Sequence, residues 1–156
     1  MITYTKGDAT RPTGYGVRII AHVVNHQGGW GRGFVLAISR RWSEPERAYR
    51  SWAKSKDGTF ALGHVQLVKV EPDLYVANMV AQEGYRNSTN QIPLRYYALE
   101  DCLKELRLQA NLLKATVHMP RIGSGLSGGS WPKIEQTISM TMEETQVVVY
   151  DLESDH

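Results

Sequence analysis

Two glycine-rich segments carry the strongest chemical signal in this sequence. They are Asn25-His26-Gln27-Gly28-Gly29-Trp30-Gly31-Arg32-Gly33 and Gly123-Ser124-Gly125-Leu126-Ser127-Gly128-Gly129. Each follows an apolar run and precedes a stretch of helical character. A loop without Cβ atoms lets backbone amides approach an anion closely. A helix starting just after it adds unpaired N–H groups and a favourable dipole. These residue types therefore point to a bound phosphate-like anion. The competing reading is a tight strand-to-helix turn with no ligand, and finding two such loops in one chain weighs against it. His22 and His26 stand beside the first loop, and imidazole can act as acid or base near neutrality. His22 can equally be a hydrogen-bonded histidine at a buried strand end, since no partner carboxylate lies near it in sequence. His26 reads as an exposed loop residue.

Known phosphate motifs narrow the choice. A Walker loop is excluded, because no Gly-Lys-Ser/Thr follows Gly123. Gly123-Ser124-Gly125-Leu126-Ser127-Gly128 does match G-x-G-x-x-G, and Asp151 falls where a ribose-binding acid would end the next strand. No second mononucleotide half follows to hold a nicotinamide, so a dehydrogenase is the weaker reading.

The elements that must position these loops alternate along the chain. Ile2 to Lys6 reads as an edge strand. Val17 to Val24 is almost continuously apolar, the pattern of a strand buried on both faces. A helix is expected from Phe34 to Arg41, and Ser43 with Glu46 forms a capping-box signature for another through Lys54. His64 to Val70 and Leu74 to Ala81 read as strands separated by Pro72-Asp73. Leu94 to Lys114 reads as a helix whose stripe is Leu99, Cys102, Leu103, Leu106, Ala110 and Leu113. Thr116 to Ile122 is a strand. Ser130 is expected to cap a helix with Trp131 and Pro132 in its first turn and Ile134 and Ile138 inward. Gln146 to Leu152 is the last strand. About six strands and four helices in this order imply a three-layer α/β/α sandwich. Ligands of such sheets bind beyond the carboxyl ends of the strands, where both glycine loops fall. Trp30, between glycines, is expected to be partly exposed, whereas Trp42, Trp52 and Trp131 fall on helix faces as core. Arg40-Arg41 and the Arg47–Arg50 pair read as solvated helix charges.

Composition sets the outer limits. At 156 residues the chain suits one domain, residues 1–156. Its 42% hydrophobic and 22% charged residues exclude disordered and fibrous classes. No apolar run has the roughly 18 residues of a membrane span, and the start of the chain lacks a signal-peptide core, so a cytoplasmic protein is expected. The single Cys102 excludes an internal disulfide and a cysteine zinc cluster. No ligand spacing suggests a metal, and no cofactor is expected. A net charge of +2 is too small to point to nucleic acid and suits a pocket for an anionic small molecule.

The ordered set of motifs resembles a known family. Gly7-Asp8-Ala9-Thr10, then Ala21-His22-Val23-Val24-Asn25 leading into Gly28 to Gly33, then Met119-Pro120-Arg121-Ile122-Gly123-Ser124-Gly125-Leu126, look like the macrodomain, a module that binds ADP-ribose. The resemblance covers nearly the whole chain. The short first loop, the Met-Pro-Arg-Ile-Gly stretch and the closing Val149-Tyr150-Asp151-Leu152 are similar to the branch of terminal ADP-ribose protein glycohydrolases and ADP-ribose-1″-phosphate phosphatases. It implies a mixed, mostly parallel six-stranded sheet. It also implies binding roles by position. Asp8 with Ala9 meets the adenine amino end, and Tyr150 and Leu152 pack around the ring. Gly123, Ser124, Gly125, Leu126, Ser127 and Gly128, with Arg121 before them, follow the diphosphate. Asn25 with Gly29, Trp30, Gly31 and Gly33 holds the distal ribose. Plain alternatives stand beside each: Asp8 and Asn25 as turn residues, Tyr150 and Leu152 as core.

The chain departs from the glycohydrolase pattern at two places. Gln82 stands where that branch carries an attacking lysine, and Ser127 where it carries an assisting aspartate. A covalent adduct is therefore closed to Gln82. Gln82, Ser127 or Asn25 can instead position a water against the anomeric carbon, where an ester of glutamate or aspartate has a good leaving group. Amides of the second loop can stabilise charge near the phosphates. In the phosphatase relatives a histidine at the position of His22 belongs to the site. The resemblance thus implies a hydrolase removing ADP-ribose from modified acidic side chains of proteins, with the 1″-phosphate phosphatase and a non-catalytic ADP-ribose reader as alternatives. The partners implied are ADP-ribose and ADP-ribosylated proteins.

Overall fold

The structure is a computed structural model and describes residues 1–152. Strand β1 (Ile2–Lys6) is followed by β2 (Arg18–Asn25), helices α1 (Phe34–Arg41) and α2 (Glu44–Lys54), and strands β3 (Val65–Glu71) and β4 (Leu74–Gln82). Helix α3 (Tyr96–Leu113), β5 (Thr116–Met119), α4 (Trp131–Thr141) and β6 (Val147–Asp151) complete it. The sheet order is β1-β6-β5-β2-β4-β3. All pairs are parallel except β3 with β4, which is antiparallel. The result is the expected three-layer sandwich on a mixed, mostly parallel sheet.

Alternation along the strands builds two cores. Ile19 and Ala21 of β2 with Ala77, Met79 and Ala81 of β4 face α3 and α4, meeting Leu99, Leu103, Ile134 and Ile138. Ile20 and Val24 with Val76 and Val80 face α1 and α2, meeting Ile38 and Tyr49. Both faces of β2 and β4 are therefore largely buried, which accounts for their mostly apolar sequences, interrupted by the buried His22 and Asn78.

Several element boundaries differ from the sequence expectations. β5 stops at Met119 rather than Ile122, because Pro120 has no N–H to continue the ladder. α3 begins at Tyr96 rather than Leu94. The N–H of Leu94 is taken by the Ser127 carbonyl (3.1 Å) and that of Arg95 by the Ala81 carbonyl (2.9 Å). Lys114 has turned left-handed (φ 53°) to end the helix. Neither expected serine cap forms: Ser43 has helical angles, and neither Ser43 nor Ser130 makes a side-chain cap bond. Glu46 bonds the Ser39 hydroxyl and Arg50 instead. The N–H of Ser130 is held by the Tyr96 hydroxyl at 2.8 Å.

Candidate functional site

Because β1, β2, β4, β5 and β6 run parallel, their carboxyl ends lie at one edge of the sandwich. This edge carries the loops that follow them. Two adjoining cavities open between these loops. The first, about 270 Å³, is lined by Asn25, Gly29, Trp30, Gly31, Gln82 and Tyr85 among others. The second, about 280 Å³, is lined by His22, Gly33, Phe34, Gly123, Gly125 and Ser127 among others. Val23, Arg32, Val35, Gln82 and Leu126 belong to both walls. The two glycine loops touch across this cleft: a Cβ on Gly33 (φ 83°) would stand 3.2 Å from Leu126 Cδ1.

Both loops present donors. Among the described residues, the N–H groups of Ser124, Gly125, Leu126 and Ser127 donate to no protein acceptor, whereas those of Gly128 and Gly129 close the loop onto Gly125 and Gly123. On the facing side α1 opens without an acidic residue in its first turn, leaving its first N–H groups for an anion. Close approach is built in. Gly128 is left-handed (φ 73°), and a Cβ there would meet the Gln91 carbonyl at 2.7 Å.

Asn25 ends β2 and organises the first loop. Its Oδ1 accepts the N–H groups of Gln27 (2.8 Å) and Gly29 (3.2 Å). The buried Tyr49 hydroxyl lies 2.6 Å from its carbonyl oxygen. Gln82 and Ser127, distant in sequence, are brought together: the Ser127 hydroxyl donates to Gln82 Oε1 at 2.6 Å. Gln82 Nε2 donates to the Gly84 carbonyl at 3.0 Å.

His22 is buried among Trp30 and Phe34. Its Nε2 lies 2.6 Å from Asn78 Oδ1. Asn78 Nδ2 is committed to the carbonyl of Pro45 and to Gln66 Oε1, so Oδ1 can only accept and the imidazole proton resides on Nε2. Nδ1 is then a bare acceptor, and it has no protein partner. Burial pushes the His22 pKa down to about 4, the Asn78 bond opposing it.

Four aromatic and histidine placements correct the sequence expectations. Trp30 is 3% exposed rather than partly exposed, because the Ser39 hydroxyl accepts its indole N–H (2.7 Å) and Tyr49 packs on its ring. His26 is half-buried, its Nδ1 accepting the N–H of Gly84. Trp52 and Trp131 are half-buried rather than core, Trp131 beneath the Arg121 guanidinium. Arg50, read as a solvated charge, also donates to the Gly28 carbonyl at 3.1 Å.

The residues expected at the adenine end line neither cavity. Asp8 is exposed, and its Oδ1 accepts the N–H and hydroxyl of Thr10, the turn-residue arrangement. Ala9 and Tyr150 are buried with Val148 under Phe34, which joins them to the second cavity. The Tyr150 hydroxyl accepts the Thr13 N–H (2.9 Å) and bonds His118 (2.7 Å). Leu152 is exposed. Arg121 borders the second cavity, but its guanidinium is paired with Asp151 at 2.7 and 3.1 Å and lies over Tyr4 and Trp131. That pairing holds the Asp151 carboxyl below its usual range.

Sequence reading missed Arg32, Phe34, Val35, Tyr85 and Arg86 as cleft residues. Arg32 had a signal, being held between Gly31 and Gly33. Tyr85 and Arg86 had none beyond lying in a polar segment. Among the described residues no cluster of three metal-ligating side chains occurs.

An α/β/α sandwich with an amide-lined anion cleft at its strand tips defines a class of nucleotide-binding modules. Comparison with known proteins gives the family. No family model matches the sequence. A macrodomain protein of Streptomyces coelicolor is 47% identical, with a TM-score of 0.86 over 97% of this chain and 99% of that one. The mouse chromodomain-helicase-DNA-binding protein 1-like is 34% identical over 96% of this chain, which spans 17% of that relative's length. The ADP-ribose 1″-phosphate phosphatase of Saccharomyces cerevisiae is 26% identical over 97% of this chain and 98% of that protein. The chain belongs to the macrodomain family.

Proposed function

We propose that this protein binds ADP-ribose and hydrolyses its ester to glutamate or aspartate side chains of modified proteins. The observation that carries the reading is the pair of adjoining cavities sharing Arg32, Gln82 and Leu126 between two glycine loops. The diphosphate spans the free amides of residues 124–127 and the start of α1, where backbone dipoles favour negative charge. The distal ribose enters the first cavity, against Asn25, Gly29 and Gln82. The adenosine end extends past Phe34 toward Ala9 and Asp8.

The hydrogen bonds of Gln82 and Ser127 support a water-positioning role for the two residues that depart from the glycohydrolase pattern. The Ser127 hydroxyl points its hydrogen at Gln82 Oε1, so its Oγ lone pairs remain to accept from a water. Gln82 retains one amide hydrogen beyond the bond to Gly84, which can donate to a ribose hydroxyl. The held water attacks the anomeric carbon. The bond from that carbon to the carboxylate oxygen breaks, the carboxylate leaves with the electron pair, and a water proton passes to solvent. A carboxylate leaving group needs no acid, so orientation supplies the acceleration.

Calorimetric titration with ADP-ribose tests the first half; absence of binding defeats the reading. Incubation with a glutamate-ADP-ribosylated protein tests the second. Release of ADP-ribose above the buffer rate is expected, and tight binding without release makes the protein a reader instead. A second reading, hydrolysis of ADP-ribose 1″-phosphate, is favoured by His22 in the wall of the second cavity and by the yeast phosphatase relative. Phosphate release lost in His22→Ala would carry it.

A further inference from the structure

The first cavity is walled in part by the loop after β2 and the loop after β4, and one hydrogen-bonded chain crosses both. His26 follows β2. Its N–H donates to the Gln82 carbonyl (2.9 Å), and its Nδ1 accepts the N–H of Gly84 (3.1 Å). Gly84 is left-handed (φ 70°). Its carbonyl accepts Gln82 Nε2 (3.0 Å), and Gln82 Oε1 accepts the hydroxyl of Ser127 in the second glycine loop (2.6 Å).

Every direction in this chain is fixed by chemistry. A backbone N–H only donates, so His26 Nδ1 carries no proton and the neutral ring holds it on Nε2. A backbone carbonyl only accepts, so the Gln82 carboxamide cannot flip. Glycine loses more conformational freedom on ordering than other residues, and Gly84 is held by a hydrogen bond on each side. His26 is the partner on one side and Gln82 on the other.

We propose that His26 is the positioning residue of this site. Through Gly84 it orients the Gln82 carboxamide and the Ser127 hydroxyl, and it ties the walls of the first cavity together. The inference rests on the ADP-ribose reading for its ligand, while its structural arm is independent of that ligand.

The test uses two substitutions of nearly equal size. In His26→Asn the side-chain oxygen lies where Nδ1 lies; in His26→Gln it moves out to the Nε2 position. The readouts are the Gly84 amide signal and its hydrogen exchange by NMR, and ADP-ribose affinity by calorimetry. The expected result is that His26→Asn keeps Gly84 protection and affinity within about twofold of the unaltered protein. His26→Gln is expected to lose the protection and bind about tenfold more weakly, one hydrogen bond's worth. Equal behaviour of the two variants, whether both like the unaltered protein or both impaired, overturns the proposal. If the unaltered protein shows no heat with ADP-ribose, the functional reading fails, and the Gly84 signals in the two variants still decide the role of His26.

Discussion

Replacing His22 by glutamine removes a buried group whose titration opposes folding in mild acid. The folded pKa of about 4 lies below the ordinary 6.5. Between those values the unfolded chain binds a proton that the folded protein refuses, so stability falls as pH falls through that window and is retained above it. At pH 5 an unfolded imidazole is roughly 97% protonated and the folded one roughly 10%, from the same two constants. Integrated from pH 7 to pH 5, the loss is about 2 kcal/mol. Urea unfolding at the two pH values measures it. With a slope of about 2 kcal/mol per molar urea, the midpoint drops by about 1 M from this residue alone. His22→Gln keeps an amide N–H for Asn78 and does not titrate, so its midpoint should drop about 1 M less than that of the unaltered protein. Only the difference between the two drops is read, so a general loss of stability in the variant does not disturb it. Equal drops would refute the assignment of His22 as a buried neutral imidazole.

His118 behaves alike: burial, then the neighbouring Arg18, push it down to about 4, and His118→Gln should flatten the same unfolding series. Gly129→Ala places a Cβ 2.7 Å from the Gly123 carbonyl and 2.6 Å from Leu94 Cδ2. Overpacking of about 1–3 kcal/mol should lower Tm by several degrees and cost at least tenfold in ADP-ribose affinity, read by thermal unfolding and calorimetry. Gly29→Ala puts a Cβ 1.7 Å from the Tyr85 hydroxyl and should weaken binding about tenfold, about one hydrogen bond's worth; adding Tyr85→Ala should recover most of it, since the phenol is the group that must move. Arg32→Ala removes a cation common to both cavities. Affinity should fall about five- to tenfold at low salt and by less at high salt, because exposed charges are screened.

The sequence by itself determined the layers and the ligand edge. The nearly continuous apolar run Val17–Val24 called for a strand dry on both faces, and the stripe Leu99–Leu103–Leu106 called for a helix with one buried face. These signals are local: side-chain periods of two and 3.6 residues read burial directly. The glycine loops were legible for the same reason, since a left-handed Gly33, Gly123 or Gly128 is a property of one residue. Family resemblance singled out Asn25, Gln82 and Ser127 without saying that Ser127 donates to Gln82. Only the tertiary structure decided that, and also that Trp30 is sealed beneath Tyr49, that His26 seizes Gly84, and that Arg121 turns to Asp151 instead of the cleft. Each of these joins residues from different loops or elements. Sequence spacing does not encode which loops meet; strand order and register do, and they are set by the packing of the whole sheet.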